Sequence, residues 1–182
     1  MCRSFGDLAI SNDGMLLAVI GNGARGQPAQ VARIDTSSGN EGTVLWTDPG
    51  GVGTHGFRGV EVTNDGTEVI VFGQVVGTET LSDTSGRTTT LRSRGSYEVY
   101  VAAYDASDGT GKYAMDGGGT GMEYFFAMAS DPDTKDVYVG GTSRFVQSIE
   151  CAPCGSPHPA PHMRAHHRAI RYAGRSTSRG AT

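Results

Sequence analysis

The side chains spaced for chemistry in this chain lie mostly near its C-terminal end. Cys151 and Cys154 form a C-x-x-C pair, and His158, His162, His166 and His167 follow closely. Thiolate sulfur and imidazole nitrogen together are the donor set of tetrahedral zinc. The interval between the cysteines and the histidines is shorter than the ~12 or more residues that separate ligand pairs in a finger or ribbon. Cys151, Cys154, His158 and His162 are therefore weak candidate ligands, and adventitious binding by a Cys/His-rich tract is the plainer reading. Asp131, Asp133 and Asp136 offer carboxylate oxygens in a D-x-D-x-x-D loop. A calcium loop of the EF-hand type needs glycine sixth and glutamate twelfth, where this chain has Asp136 and Thr142, so a solvated turn is expected. The run DGGGTG at 116–121 lacks the Lys-Ser/Thr of a phosphate loop and is read as a connecting link. His55 has no evident acid or nucleophile beside it and reads as a surface histidine. No residue set specifies a reaction or calls for a cofactor, and the chain is expected not to be an enzyme.

The elements that position these residues come from a repeat. Residues 5–21 read FGDLAISNDGMLLAVIG, residues 57–73 read FRGVEVTNDGTEVIVFG, and residues 124–140 read YFFAMASDPDTKDVYVG. Self-similarity at such a period marks stacked supersecondary units. Leu8 and Ile10, like Val60 and Val62, alternate with small or polar residues, the period-two signal of a half-buried strand. Asn12-Asp13-Gly14 and Asn64-Asp65-Gly66 suit tight hairpins, because Asn, Asp and Gly tolerate positive φ. A second half-unit recurs as AQVARID at 29–35 and VYVAAYD at 99–105. Each is followed by a turn, a short strand (43–47, 112–115) and a glycine-rich link (49–56, 116–123). Trp46 and Tyr113 fall in those last strands and are expected to pack between units.

Four antiparallel strands per ~40–50 residues is the blade of a β-propeller, although the strands alone also suit a β-sandwich. At these residues the chain resembles bacterial β-propeller repeats of the SBBP kind and is similar to NHL-type repeats. The carriers are the Asp-led turns after VARID and VAAYD, the Gly-Gly link and the 131–142 ending. The resemblance implies blades of strands 5–11, 15–20, 29–35, 43–47 and then 57–63, 67–72, 97–105, 112–115. A third blade starts with 124–130 and 136–142 and lacks its second half. The expected fold is all-β: an incomplete β-propeller of about two and a half four-stranded blades over 5–143. A Pro/His/Arg-rich tail over 144–182 is expected to be irregular and disordered, or translated out of frame. An open arc leaves unpaired edges and an uncovered apolar face, which invites self-association. The chain is accordingly expected to be a fragment, a truncated product or part of an assembly.

Composition bounds the function. The 182 residues carry 28 glycines and a net charge of −4, which favours many tight turns and gives no call for nucleic acid. The tail holds six arginines against Glu150 alone, an asymmetry that suits an anionic partner. No run of ~18 apolar residues spans a membrane and no apolar leader opens the chain. The compartment stays open, and the resemblance implies a secreted or cell-surface parent. The expected function is an interaction module that binds a protein or glycan through loops on one face. There the links 49–56 and 116–123 meet a long insert at 74–96, with His55, Arg87, Arg92, Arg94 and Glu123 as candidates. The alternative is a fragment of a propeller enzyme, quinoprotein-like or lyase-type, whose site needs residues from absent blades.

Overall fold

A computed structural model describes residues 4–14, 16–22, 30–48, 57–130, 137–143, 148–151, 162–166 and 169–173. These residues form antiparallel sheets and no helix. Strands β1 (Ser4–Ile10), β2 (Leu16–Asn22), β3 (Gln30–Asp35) and β4 (Thr43–Asp48) make sheet 1 as a meander in chain order. The Asn-Asp-Gly turns explain the recurrence of this geometry. Gly14 has φ 71° and Gly66 φ 68°, the left-handed conformation that glycine adopts without a Cβ clash. Gly14 N–H donates to the Ser11 carbonyl at 2.9 Å, and Gly66 N–H to that of Thr63 at 2.8 Å. The Ser11 hydroxyl donates to Asp13 Oδ1 at 2.6 Å, and the Thr63 hydroxyl to Asp65 Oδ1 at 2.8 Å, so both turns are braced alike.

The second unit starts with β5 (Phe57–Val62) and β6 (Glu68–Val75), passes through a separate ribbon of β7 (Thr78–Ser82) and β8 (Thr88–Arg92), and returns as β9 (Glu98–Asp105) and β10 (Gly111–Gly118). Strands β5, β6, β9 and β10 lie side by side in the order β5-β6-β9-β10 as sheet 2, which is buried on both faces, and the period of two sorts its residues. Val60, Val62, Val69, Val71, Tyr100, Ala102 and Tyr104 share one core cluster with Ala18, Ile20, Val31 and Trp46 of sheet 1. Ile70, Phe72, Val99, Val101 and Ala103 form the other cluster. Sheets 1 and 2 are also tied by hydrogen bonds. Trp46 Nε1 donates to the Ala106 carbonyl at 3.0 Å, and the Arg33 guanidinium reaches the carbonyls of Ala106 and Ser107. Trp46 lies 6.2 Å from the Tyr104 ring, between the units as its position in the last strand implies. Tyr113 is partly buried against the second cluster.

The last unit departs from the expectation. Strands β11 (Glu123–Ser130) and β12 (Val137–Ser143) pair as the repeat implies. The segment beyond 143, expected to be irregular, supplies β13 (Ser148–Cys151), β14 (His162–His166) and β15 (Ala169–Ala173) among its described residues. β13 adds a fifth strand to the β10 edge of sheet 2. β15 pairs with β12 and β14 lies outside it, so sheet 3 has the order β11-β12-β15-β14. The third unit thus gains a second half, with its strands exchanged relative to the meander of sheet 1. The pairing Met163↔Tyr172 and Ala165↔Ile170 shows the short alternation behind it, which lies amid arginines and histidines. Among the described residues no sheet closes on itself. Among the described residues no helix is long and apolar enough to cross a membrane.

Candidate functional site

The insert at 74–96 is not a loose loop. Its ribbon is paired Thr78↔Arg92, Thr80↔Thr90 and Ser82↔Thr88, with Glu79↔Leu91 and Leu81↔Thr89 between them. Alternation divides these rows between two faces. Leu81 and Leu91 are buried in the cluster that holds Trp46 and Tyr104, so the ribbon covers part of sheet 2. The opposite face carries Thr78, Thr80, Ser82, Thr88, Thr90 and Arg92, all exposed or half-buried. The result is a flat row of hydroxyls on a backed scaffold.

Carboxylates fix both ends of the ribbon. At its tip, Asp83 accepts from Ser85 N–H (2.9 Å), the Ser85 hydroxyl (2.5 Å), Arg87 N–H (3.0 Å), Arg87 Nε (3.2 Å) and Gly111 N–H (2.8 Å). Burial pushes the Asp83 carboxyl up, but these bonds outweigh it and hold the group below its ordinary value. At the base, Arg92 N–H donates to Asp116 Oδ2 at 2.9 Å and Arg94 N–H donates to Glu98 Oε1 at 2.6 Å. The Arg94 guanidinium lies 3.9 Å from Asp116 Oδ1. Gly95 passes so close to the link that a Cβ there would fall 2.6 Å from the Thr120 carbonyl carbon, and Ser96 N–H donates to Gly121 at 3.3 Å.

The candidates therefore divide. Arg92 and Arg94 meet the 116–121 link at the base. Arg87 sits at the tip, beside the β9–β10 turn, at the far end of sheet 2 from that link; one loop face does not hold all three. Glu123 opens β11. Cys151 ends β13 opposite Met115, and His162 opens β14 opposite Ala173, so they lie on strands of different sheets. His55, Cys154, His158 and the carboxylates Asp131, Asp133 and Asp136 lie outside the described residues. Among the described residues no group of three His, Cys, Asp or Glu side chains is placed to hold a metal ion.

Beneath the ribbon the interior is polar. Asp48 is fully buried and Glu79 nearly so, near the phenols of Tyr100 and Tyr104. Burial first, and then the charges of Glu79 and Asp48, push the Tyr100 hydroxyl well above 10.0; burial and Asp48 do the same for Tyr104. Both phenols stay protonated at neutral pH. The cleft between ribbon and sheet, lined by Leu81, Asp83, Arg87, Tyr104, Gly111 and Tyr113, has a volume of about 20 Å³, room for one water.

Residues 74–96 carry no clear strand signal in the sequence, because each ribbon strand has a single leucine. A signal was present in the turn. Asp83-Thr84-Ser85 repeats Asp35-Thr36-Ser37 and Asp105-Ala106-Ser107, and in all three the serine N–H donates to the aspartate Oδ1 at 2.8–2.9 Å. No protein-family model matches the chain, and no curated protein sequence matches it.

Proposed function

We propose that this chain is a non-enzymatic interaction module, an open arc of propeller-type sheets that presents the outer face of the β7–β8 ribbon to a protein or glycan ligand. The observation that carries this reading is the ribbon's anchorage at both ends around a hydroxyl-bearing outer face. Recognition favours groups held in place before binding, because less side-chain and loop entropy is lost on association. Five hydroxyls with Arg92 at one end suit a ligand rich in hydroxyl or amide groups that carries an acid. The candidate face is thus the broad side of the ribbon and its base, with Arg92 and Arg94, rather than a rim of loops.

The test is binding of the full chain to an immobilised panel of neutral and acidic oligosaccharides and acidic peptides. A Thr80→Val, Thr90→Val double variant keeps β-branched side chains and removes two central hydroxyls. About a tenfold weaker binding to the wild type's best ligand, with an unchanged melting temperature, is expected. Equal binding by the double variant would contradict the assignment.

A further inference from the structure

Beyond Arg92 the chain runs alongside the link that follows β10. Arg92 N–H and the Arg94 guanidinium meet Asp116, Gly95 passes against Thr120, and Ser96 N–H donates to the Gly121 carbonyl. The two segments lead to a pair of aromatic rings. Tyr97 and Tyr124 stack with centroids 5.7 Å apart and planes 29° from parallel. Tyr97 is half-buried, whereas Tyr124 is 38% exposed and Met122 37%. The Tyr124 hydroxyl donates to the Met122 sulfur at 3.7 Å. Tyr124 is thus an aromatic surface shown to solvent and held by a second ring and by Met122. Arg92 ends the hydroxyl row of the ribbon and begins the run to these rings.

A tyrosine ring is negative on its face, so it attracts C–H groups polarised by neighbouring oxygens. A pyranose presents such C–H groups on its ring face and hydroxyls at its rim. Those hydroxyls both donate and accept, as do the threonine and serine hydroxyls of the ribbon. An exposed guanidinium between the two takes a carboxylate through paired N–H donors. A uronic acid carries all three features on one ring: an apolar face, hydroxyls and an acid. A peptide spreads them over separate side chains.

We propose that Tyr97 and Tyr124 form a sugar-stacking subsite at the base of the ribbon, and that the ligand is an acidic oligosaccharide of the uronic-acid class, a reading that takes the ribbon's outer face as the binding surface. One pyranose packs on Tyr124, its carboxylate meets Arg92, and the sugars that follow lie along Thr78, Thr80 and Thr90. Five residues at ~3.3 Å make the ribbon about 16 Å long, room for a few sugar rings. Stacked tyrosines supply contact area at little cost in side-chain entropy. Because the guanidinium is exposed, binding weakens as salt rises.

The test is isothermal titration of the full chain with hexamers of galacturonate and of mannuronate, and with their methyl esters, which keep the rings and lose the charge. At least one acid hexamer is expected to bind, and its ester at least tenfold more weakly. Tyr124→Leu, which keeps an apolar side chain and loses the ring, and Arg92→Gln, at an exposed position, should each weaken binding at least tenfold with the wild-type circular dichroism. Tyr124→Phe should bind as the wild type does. Equal binding of acid and ester, or undiminished binding by folded Tyr124→Leu or Arg92→Gln, overturns the proposal. If Tyr124→Leu binds fully while the Thr80→Val, Thr90→Val chain does not, the subsite alone falls and the ribbon remains the binding face. The converse result keeps the rings and removes the ribbon. A wild type that takes acidic peptides and neither uronide overturns the sugar assignment and leaves the ribbon with a protein ligand.

Discussion

Leu8 and Val60 hold the same position in successive copies of the repeat, yet Leu8 is 64% exposed and Val60 5%. Both follow the same alternation and both precede the same Asn-Asp-Gly turn. The difference lies in the neighbour. Val60 sits beneath a sheet whose Ala18, Ile20, Val31 and Trp46 fill the space above it, while no described residue covers Leu8 to that extent. Burial in a stacked repeat is thus set by the adjoining unit rather than by the residue's own strand. The two inter-sheet contacts also differ from each other. Met128 has the repeat position of Glu61, which is paired with Ile70 and shares its face. A strictly repeated stack turns that face away from the preceding sheet, yet Met128 packs on the cluster of Ile70 and Phe72. Sheet 3 therefore does not sit on sheet 2 as sheet 2 sits on sheet 1.

Removing the cover over sheet 2 should have the largest effect. Trp46→Ala deletes the largest side chain that sheet 1 places over sheet 2, together with its bond to Ala106. A loss of about 3–5 kcal/mol is expected from chemical denaturation. Next comes the ribbon. Asp83→Ala removes five accepted hydrogen bonds and strands the Gly111 N–H, for about 2–3 kcal/mol and earlier proteolytic cleavage within 76–97. Arg33→Met keeps the aliphatic stem and loses the bonds to the 106–107 carbonyls, for about 1 kcal/mol by the same denaturation.

The smallest effect concerns pH. Burial pushes the Glu79 carboxyl above its ordinary 4.5, with the Val76 N–H offsetting part of it. A carboxyl raised in the folded state contributes stability while protonated, complete below 4.5 and lost as pH rises through its folded value. Asp83 and Asp105 run the other way. Burial raises each, but hydrogen bonds from Ser85, Gly111 and Arg87, or from Ser107 with the Lys112 charge, win and hold both below 3.8. Their contribution is present above 3.8 and lost as pH falls through their folded values. Glu79→Gln is therefore expected to raise the melting temperature at about pH 7 and to do nearly nothing at about pH 4. An equal shift at both pH values would contradict this origin.

Much of the local structure was legible in the residues. The Asn-Asp-Gly turns, the alternation around Leu8 and Val60, and the VARID and VAAYD strands all lie where their chemistry puts them. The ribbon was not legible, because Leu81 and Leu91 are single apolar residues among threonines and their burial depends on a sheet distant in sequence. The strands β14 and β15 are hard to read for a similar reason, since their alternation is only two residues deep. Arg87, Arg92 and Arg94 are close in sequence. Arg87 and Arg94 nevertheless lie at opposite ends of a ribbon that folds back along sheet 2.

Equivalent faces of sheets 1 and 2 thus differ in whether a neighbouring sheet covers them. The thermal stability of Leu8→Asp beside Val60→Asp, followed by circular dichroism, separates the two positions. The account predicts that Leu8→Asp changes stability by no more than about 0.5 kcal/mol. Val60→Asp, which places a carboxylate in the core without a partner, should cost several kcal/mol and abolish the cooperative transition. Equal losses at the two positions would contradict the account, because they would mean that the face of sheet 1 is covered as fully as that of sheet 2.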